Sequence, residues 1–311
     1  MGVSIVVPAV WGRAYFALQA LAGACWWVAV FTVPLVRSAT LGDLPAPAIA
    51  IVDVPLFVGA SALAACGFRA AGLIATGWTL LVTVALAAYA TLTAEAGWGV
   101  LLMLAASGCS LLAVSALLLG RLPTEWIVRG PFGFRLAARG RSAAAHLLAT
   151  VGQIVVFWGF FLGVLPALIA LLERRWGLSV AFPPGMPAVG ALVFLLASAL
   201  GLWAGVTMST LGDGTPLPAA MPRLLVVAGP YRWVRNPMAL AGIAQGVAVG
   251  LMLESWAVIG YALLGSLVWN LAVRPFEEAD LLQRFGDQFA HYRDNVRCWL
   301  PRTTPWEPVP A

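Results

Sequence analysis

Eight long apolar runs follow one another along this chain, and no soluble fold can bury that many. A helix that crosses a bilayer needs about 20 mostly apolar residues. Runs near 14–36, 47–68, 71–93, 97–119, 144–172, 188–210, 238–254 and 256–274 approach or exceed that length, and the fifth is long enough to be tilted. Charged residues are 10% of the 311 and apolar residues 61%, whereas soluble domains carry about 25% charged residues. The expected fold class is all-α: a polytopic membrane protein of about eight transmembrane helices.

The charge pattern sets an expected orientation. All 18 basic residues are arginine, and they concentrate between the apolar runs. With a cytoplasmic N-terminus and eight spans, only Arg37, Arg174 and Arg175 fall outside. The rest lie inside, including the loop 121–141 with Arg129, Arg135, Arg139 and Arg141. That bias predicts that both termini are cytoplasmic. It also accounts for the net charge of +5 without a nucleic-acid partner. Cys25, Cys66, Cys109 and Cys298 are scattered and have neither metal-ligand nor disulfide spacing. The N-terminus lacks a signal-peptide cleavage pattern, and its apolar run is long enough to span.

The loop 121–142 divides the chain into an expected four-span module, 1–143, and a four-span domain, 144–311. In the first, Asp53 sits inside the second span beside Pro55. An intramembrane acid is a functional candidate, to be weighed against a carboxylate simply bonded to freed backbone or water. His146 at the start of the fifth span reads as an interface anchor.

Polar residues gather between Gly212 and Arg302. Asn236-Pro237 is a strong helix start, an N-cap followed by proline at the first position. Its unpaired N–H groups, with Arg232 and Arg235 beside them, form a candidate anion seat. Gly212-x-Gly214 precedes Pro216, Pro218 and Pro222 and reads either as a turn or as a close backbone approach to a ligand. Asn270 and Arg274 are four apart, on one helical face, and Pro275 predicts a kink or restart. Beyond it Leu281, Phe285, Phe289, Tyr292 and Val296 form one stripe, which predicts a C-terminal interfacial amphipathic helix. Glu277 continues that stripe and should face inward, while Glu278 sits about 100° round the helix.

Gly229-Pro230-Tyr231-Arg232-x-Val234-Arg235-Asn236-Pro237-Met238, then Glu277-Glu278-x-x-Leu281-x-x-x-Phe285-Gly286 about forty residues later, resembles the isoprenylcysteine carboxyl methyltransferase family and the broader group with membrane phospholipid methyltransferases. The resemblance covers roughly 145–311. Asn236 stands where the family often has His, Ala239 where Tyr is usual, and Ala241 where Gly is usual. The ending Val296-Arg297-Cys298-Trp299-Leu300-Pro301 also departs from the common pattern.

The resemblance implies methyl transfer from S-adenosylmethionine, bound on the cytoplasmic side, to a lipophilic acceptor delivered by the membrane. The acceptor would be the carboxylate of a prenylcysteine-like compound or a lipid headgroup. It implies cofactor-binding roles for Gly212, Gly214, Tyr231, Arg232, Arg235, Asn236, Pro237, Glu277 and Glu278. Asn270 and Arg274 become the catalytic candidates, with Arg274 placed to hold an acceptor carboxylate. No metal is implied, and the expected setting is a bacterial cytoplasmic membrane. The alternatives are a membrane NAD(P)H-dependent reductase of related architecture and a non-catalytic binding or scaffold protein that kept the fold.

Overall fold

A computed structural model describes residues 5–126, 143–215 and 221–307. The arginine loop through Arg129, Arg135, Arg139 and Arg141, the side chain of His146, and Pro216 and Pro218 lie outside the described residues. The described residues are mostly helical. Its one sheet among those residues is an antiparallel pair, β1 (Ile5–Val6) with β2 (Arg121–Leu122). The described residues divide into two compact units, 5–123 with 171–179, and 124–170 with 180–307.

The first unit contains α1 (Ala9–Thr32), α2 (Pro34–Thr40), α3 (Ala46–Asp53), α4 (Ala60–Ala65), α5 (Arg69–Thr93) and α6 (Gly97–Leu119). Its core is built around Phe16, with Ala60, Ala64, Ala71, Ala75, Ala113 and Leu117. Small residues let helix backbones approach, the main source of cohesion where no hydrophobic gradient separates helix from lipid. Polar side chains add specific ties. The Gln19 amide oxygen accepts from Tyr15 Oη at 2.6 Å and Ser110 Oγ at 2.8 Å, and its nitrogen donates to Ser61 Oγ at 3.0 Å. Asp53 is buried and accepts from two indoles, Trp27 Nε1 at 2.8 Å and Trp78 Nε1 at 2.7 Å. The chain widens into a π-helical turn, Val54–Gly59, around Pro55. Asp53 is thus held by side-chain donors that sequence spacing does not pair with it.

In the second unit, α7 (Ala143–Trp158) passes through a π turn, Gly159–Val164, into α8 (Leu165–Arg175), the end of which belongs to the first unit. Then come α9 (Met186–Leu211), a short 3-10 turn at Gly229–Arg232, α10 (Pro237–Met252) and α11 (Trp256–Val268). A further π turn, Trp269–Val273, leads without interruption into α12 (Arg274–Asn295). Helices α9 and α10 pack along their length, tied by Gln245 Nε2 to Ser198 Oγ at 2.9 Å.

Seven helices among the described residues are long and apolar enough to cross a membrane, where eight were expected. The difference is α10. Its start is fixed by the Asn236 cap and its end by the turn into Ser255, which leaves 16 residues. That length is about 24 Å at 1.5 Å per residue, against a hydrocarbon core of about 30 Å. The expected break at Pro275 is also resolved differently. Proline cannot donate to the preceding turn, and the turn before it widens to the π form, so the helix continues from Trp256 through Pro275 as far as a break at Gly286. Its apolar part ends at Val273; Arg274–Asn295 carries three arginines and five acids and lies beyond the crossing.

The stripe on α12 is correct in register but differs in partner. Phe289, Tyr292 and Val296 are buried against Leu225, Val227 and Trp306, with Leu281 and Phe285 at the margin. The apolar face expected at the bilayer interface closes on the protein itself. The helix also breaks at Gly286, with φ 50° and ψ −128°, a conformation open essentially to glycine alone. Gly286→Ala should therefore destabilise the protein by about 1–3 kcal/mol. The measurement is thermal unfolding in detergent; an unchanged midpoint would show that the break is not imposed by the fold.

Candidate active site

A cavity of about 710 Å³ opens in the second unit, between α7, α10, α11 and α12. Its greater part is apolar, with Trp158, Phe161, Leu162, Ile243, Tyr261 and Trp269 among the walls. The polar end is formed by the start of α10 and the first turns of α12.

At the start of α10, Asn236 Oδ1 accepts from the Ala239 N–H at 3.2 Å, and Pro237 follows as first helical residue. Asn236, Met238 and Ala239 line the cavity, while Pro237 is buried behind them. Tyr231 is buried and also lines it. The Tyr231 carbonyl accepts from Tyr292 Oη at 2.7 Å, which fastens the 229–237 segment to α12. Burial pushes both phenols up, so they stay protonated and act as neutral groups.

Arg235 is the hub of this end. Its Nη1 donates to the carbonyls of Arg293 at 2.8 Å and Val296 at 3.2 Å, which terminate α12 and lack partners within the helix. Its Nη2 donates to Glu278 Oε1 at 2.8 Å, and its backbone N–H donates to the Arg297 carbonyl at 2.9 Å. Arg274 reaches the same Glu278 oxygen with Nε at 3.4 Å and donates from Nη1 to Asn270 Oδ1 at 2.8 Å. Glu278 is therefore neutralised by two guanidinium groups. Arg284 pairs with Asp280 at 2.7 Å and donates to the Pro222 carbonyl at 2.7 Å, which secures another wall segment.

Glu277 differs from all of these. It lines the cavity, and among the described residues its carboxylate makes neither a hydrogen bond nor an ion pair. Burial pushes it up to about 7, with Glu278 and Asp280 adding to the rise and Arg235 opposing it. A carboxylate so placed is primed to ionise when a cation arrives.

The other residues singled out from sequence lie outside the cavity wall. Arg232 turns to the C-terminal tail, with Nε to the Trp306 carbonyl at 3.0 Å and Nη2 to Glu307 at 2.5 Å. Only one of the two arginines flanking the helix start reaches the cavity. The Gly212 carbonyl accepts from the N–H groups of Arg223 and Leu224, and a Cβ on Gly214 would lie 2.5 Å from Pro222 Cα. The close approach at these glycines is made by the protein's own Met221–Leu225 segment, which lines the cavity. Asn270 stands behind Arg274. Sequence reasoning passed over Trp158, Phe161, Tyr261 and Cys298, since an apolar wall carries no signal in a chain that is apolar throughout.

Residues 186–288 match the phospholipid methyltransferase family. A methanethiol S-methyltransferase of Mycobacterium tuberculosis (strain ATCC 25618 / H37Rv) is 35% identical over 71 residues, 23% of this chain. The match spans 28% of that relative's length. Among solved structures, the eukaryotic intramembrane Ras methyltransferase ICMT (isoprenylcysteine carboxyl methyltransferase) aligns over 97% of this chain and 100% of its own, at 16% identity and a TM-score of 0.33.

Proposed function

With residues 186–288 matching the phospholipid methyltransferase family, we propose that this protein is an S-adenosylmethionine-dependent membrane methyltransferase acting on a lipophilic acceptor. The observation that carries the reading is Glu277, an uncompensated acid at the polar end of an otherwise apolar cavity. A sulfonium donor supplies a methyl group that is already activated, so the protein's task is binding and alignment. Glu277 fits the donor's positive charge. Tyr231, Arg235 and Asn236 shape the same end, with Arg235 holding the start of α10 against the end of α12. The walls at Trp158, Phe161 and Tyr261 suit the acceptor's apolar body. Arg274, at the junction of the two regions, is the residue placed to orient the acceptor's polar end.

In this reading residues 144–311 form the catalytic membrane domain, α10 pairs with α11 and returns the chain to the side it left despite its shortness, and the site faces the cytoplasm of a bacterial cell, an orientation supported by the arginine distribution. Binding decides the case. S-adenosylmethionine titrated by calorimetry into the purified chain, in detergent and in lipid nanodiscs at pH 8, should give saturable binding, and NADPH should give none. NADPH brings several negative charges to a cavity whose unpaired group is an acid, so saturable NADPH binding without donor binding would favour the reductase. Binding of neither would overturn the enzymatic assignment.

A further inference from the structure

We propose that Trp299 and Asn270 are positioning residues that hold the Arg274 guanidinium on Glu278 and so leave Glu277 free to face the cavity. The consequence for ligand binding rests on the donor-site reading above; the consequence for Glu277 itself does not.

The Trp299 indole Nε1 donates to Asn270 Oδ1 at 3.0 Å, and Arg274 Nη1 donates to the same oxygen at 2.8 Å. Both partners can only donate, so the amide must present its oxygen to them, and its orientation is set by chemistry. Arg274 then meets Glu278 Oε1 through Nε at 3.4 Å, the oxygen that also accepts from Arg235 at 2.8 Å. The Trp299 ring packs edge-on against Trp269, centroids 5.3 Å apart at 84°, which fixes the indole at the mouth of the π turn. Trp269, Arg274 and Cys298 line the cavity, while Trp299 and Asn270 do not. These two therefore act through Arg274.

Arg274 has an alternative partner close by. Glu277 is three residues further along the same helix, within reach of an i,i+3 ion pair. The titratable and charged groups around Glu277 are Glu278, Asp280 and Arg274 on its own helix, and Arg235 and Tyr231 from the segment before α10. Arg284, Tyr292 and Cys298 share the same cavity wall. Arg235 is fixed by two carbonyls and Arg284 by Asp280 and Pro222. Arg274 is held by Asn270, by the longer contact to Glu278 and by the Cys298 thiol, and the Trp299–Asn270 bond fixes the shortest of these ties.

Trp299→Phe keeps the ring and removes the donor; Asn270→Ala removes the acceptor. Glu277 is titrated without ligand by carboxyl infrared difference spectroscopy, using Glu277→Gln to identify its band. In wild type the midpoint should lie near 7. In each variant a freed Arg274 should lower it by about one pH unit. S-adenosylmethionine affinity at pH 8 should fall roughly fivefold, since the donor then competes with a guanidinium for Glu277. The double variant should match Asn270→Ala alone, because both changes break one chain. An unmoved Glu277 midpoint in both variants, or effects that add in the double variant, would overturn the proposal. If one variant does not fold, the midpoint in the other decides. Wild-type protein that binds no donor would count against the methyltransferase reading, while the ligand-free titration still tests the relay.

Discussion

Glu277→Gln is expected to weaken S-adenosylmethionine binding at least tenfold at pH 8 and to abolish the pH dependence of that binding. The side chain keeps its size and hydrogen-bonding capacity and loses only the charge. A charge-assisted contact of this kind contributes about 1.4 kcal/mol or more, equivalent to a factor of ten. The direction with pH follows from the raised carboxyl. With Glu277 up at about 7, a cation that binds the ionised form must displace a proton below that pH. Wild-type affinity should rise as pH approaches 7 and level off above it. Fold stability should move the opposite way. A carboxyl raised from 4.5 to about 7 on folding contributes stability that is present at low pH and lost as pH rises through 7. Glu277→Gln should therefore unfold no earlier than wild type at pH 8, which separates lost binding from lost structure. Calorimetric titrations at pH 6, 7 and 8 in both proteins measure this, and equal affinity of the two at pH 8 would remove Glu277 from the donor site.

Arg235→Ala should produce the largest loss of stability of any change at the site. Its side chain is 13% exposed and satisfies Glu278 together with the Arg293 and Val296 carbonyls. Removing it leaves Glu278 with the longer Arg274 contact alone and strips two helix-end carbonyls of their donor, at a cost of about 1–3 kcal/mol for each buried group left unsatisfied. Lysine should restore only part. An ammonium is a point charge and cannot reach a carboxylate on one side and two helix-end carbonyls on the other as a planar fork does. Unfolding in detergent, followed without ligand, checks both variants. Full recovery by Arg235→Lys would show that charge alone, and not the fork, holds α10 to α12.

The membrane class and most helix positions were legible because hydropathy over about 20 residues is a strong signal. The start of α10 was legible to the residue, because Asn-Pro encodes a cap and a first turn in two positions. Its length was nearly so, the expected run 238–254 standing beside a helix of 16 residues; what differed was its count among the spans, since about 24 Å falls short of the hydrocarbon core. At the site, an acid continuing an apolar stripe identified Glu277 as a position to watch. Which arginine meets which acid was beyond sequence: Arg232 and Arg235 look equivalent three residues apart, yet one binds the tail and the other the end of α12. Gly212-x-Gly214 illustrates the same limit. Its pattern announces a close approach without saying whether ligand or protein makes it, and here Pro222 does. The indole donors on Asp53 come from α1 and α5, 26 and 25 residues away in sequence, a distance over which no local pattern operates.

The π turn at Trp269–Val273 sets a phase. A π turn takes in roughly one residue more than an α turn, so everything after it is rotated by about 100° relative to an unbroken helix. Counted round the helix with that offset, the cavity-lining side of α11, at Tyr261, Ala262, Gly265 and Ser266, and that of α12, at Glu277, Leu281 and Arg284, fall on nearly one line. Without it they diverge by about a quarter-turn or more. The site is therefore coded in chain length as well as in residue identity. A chain one residue shorter between Trp269 and Val273 could keep every side chain named here and still present its acids to the wrong side.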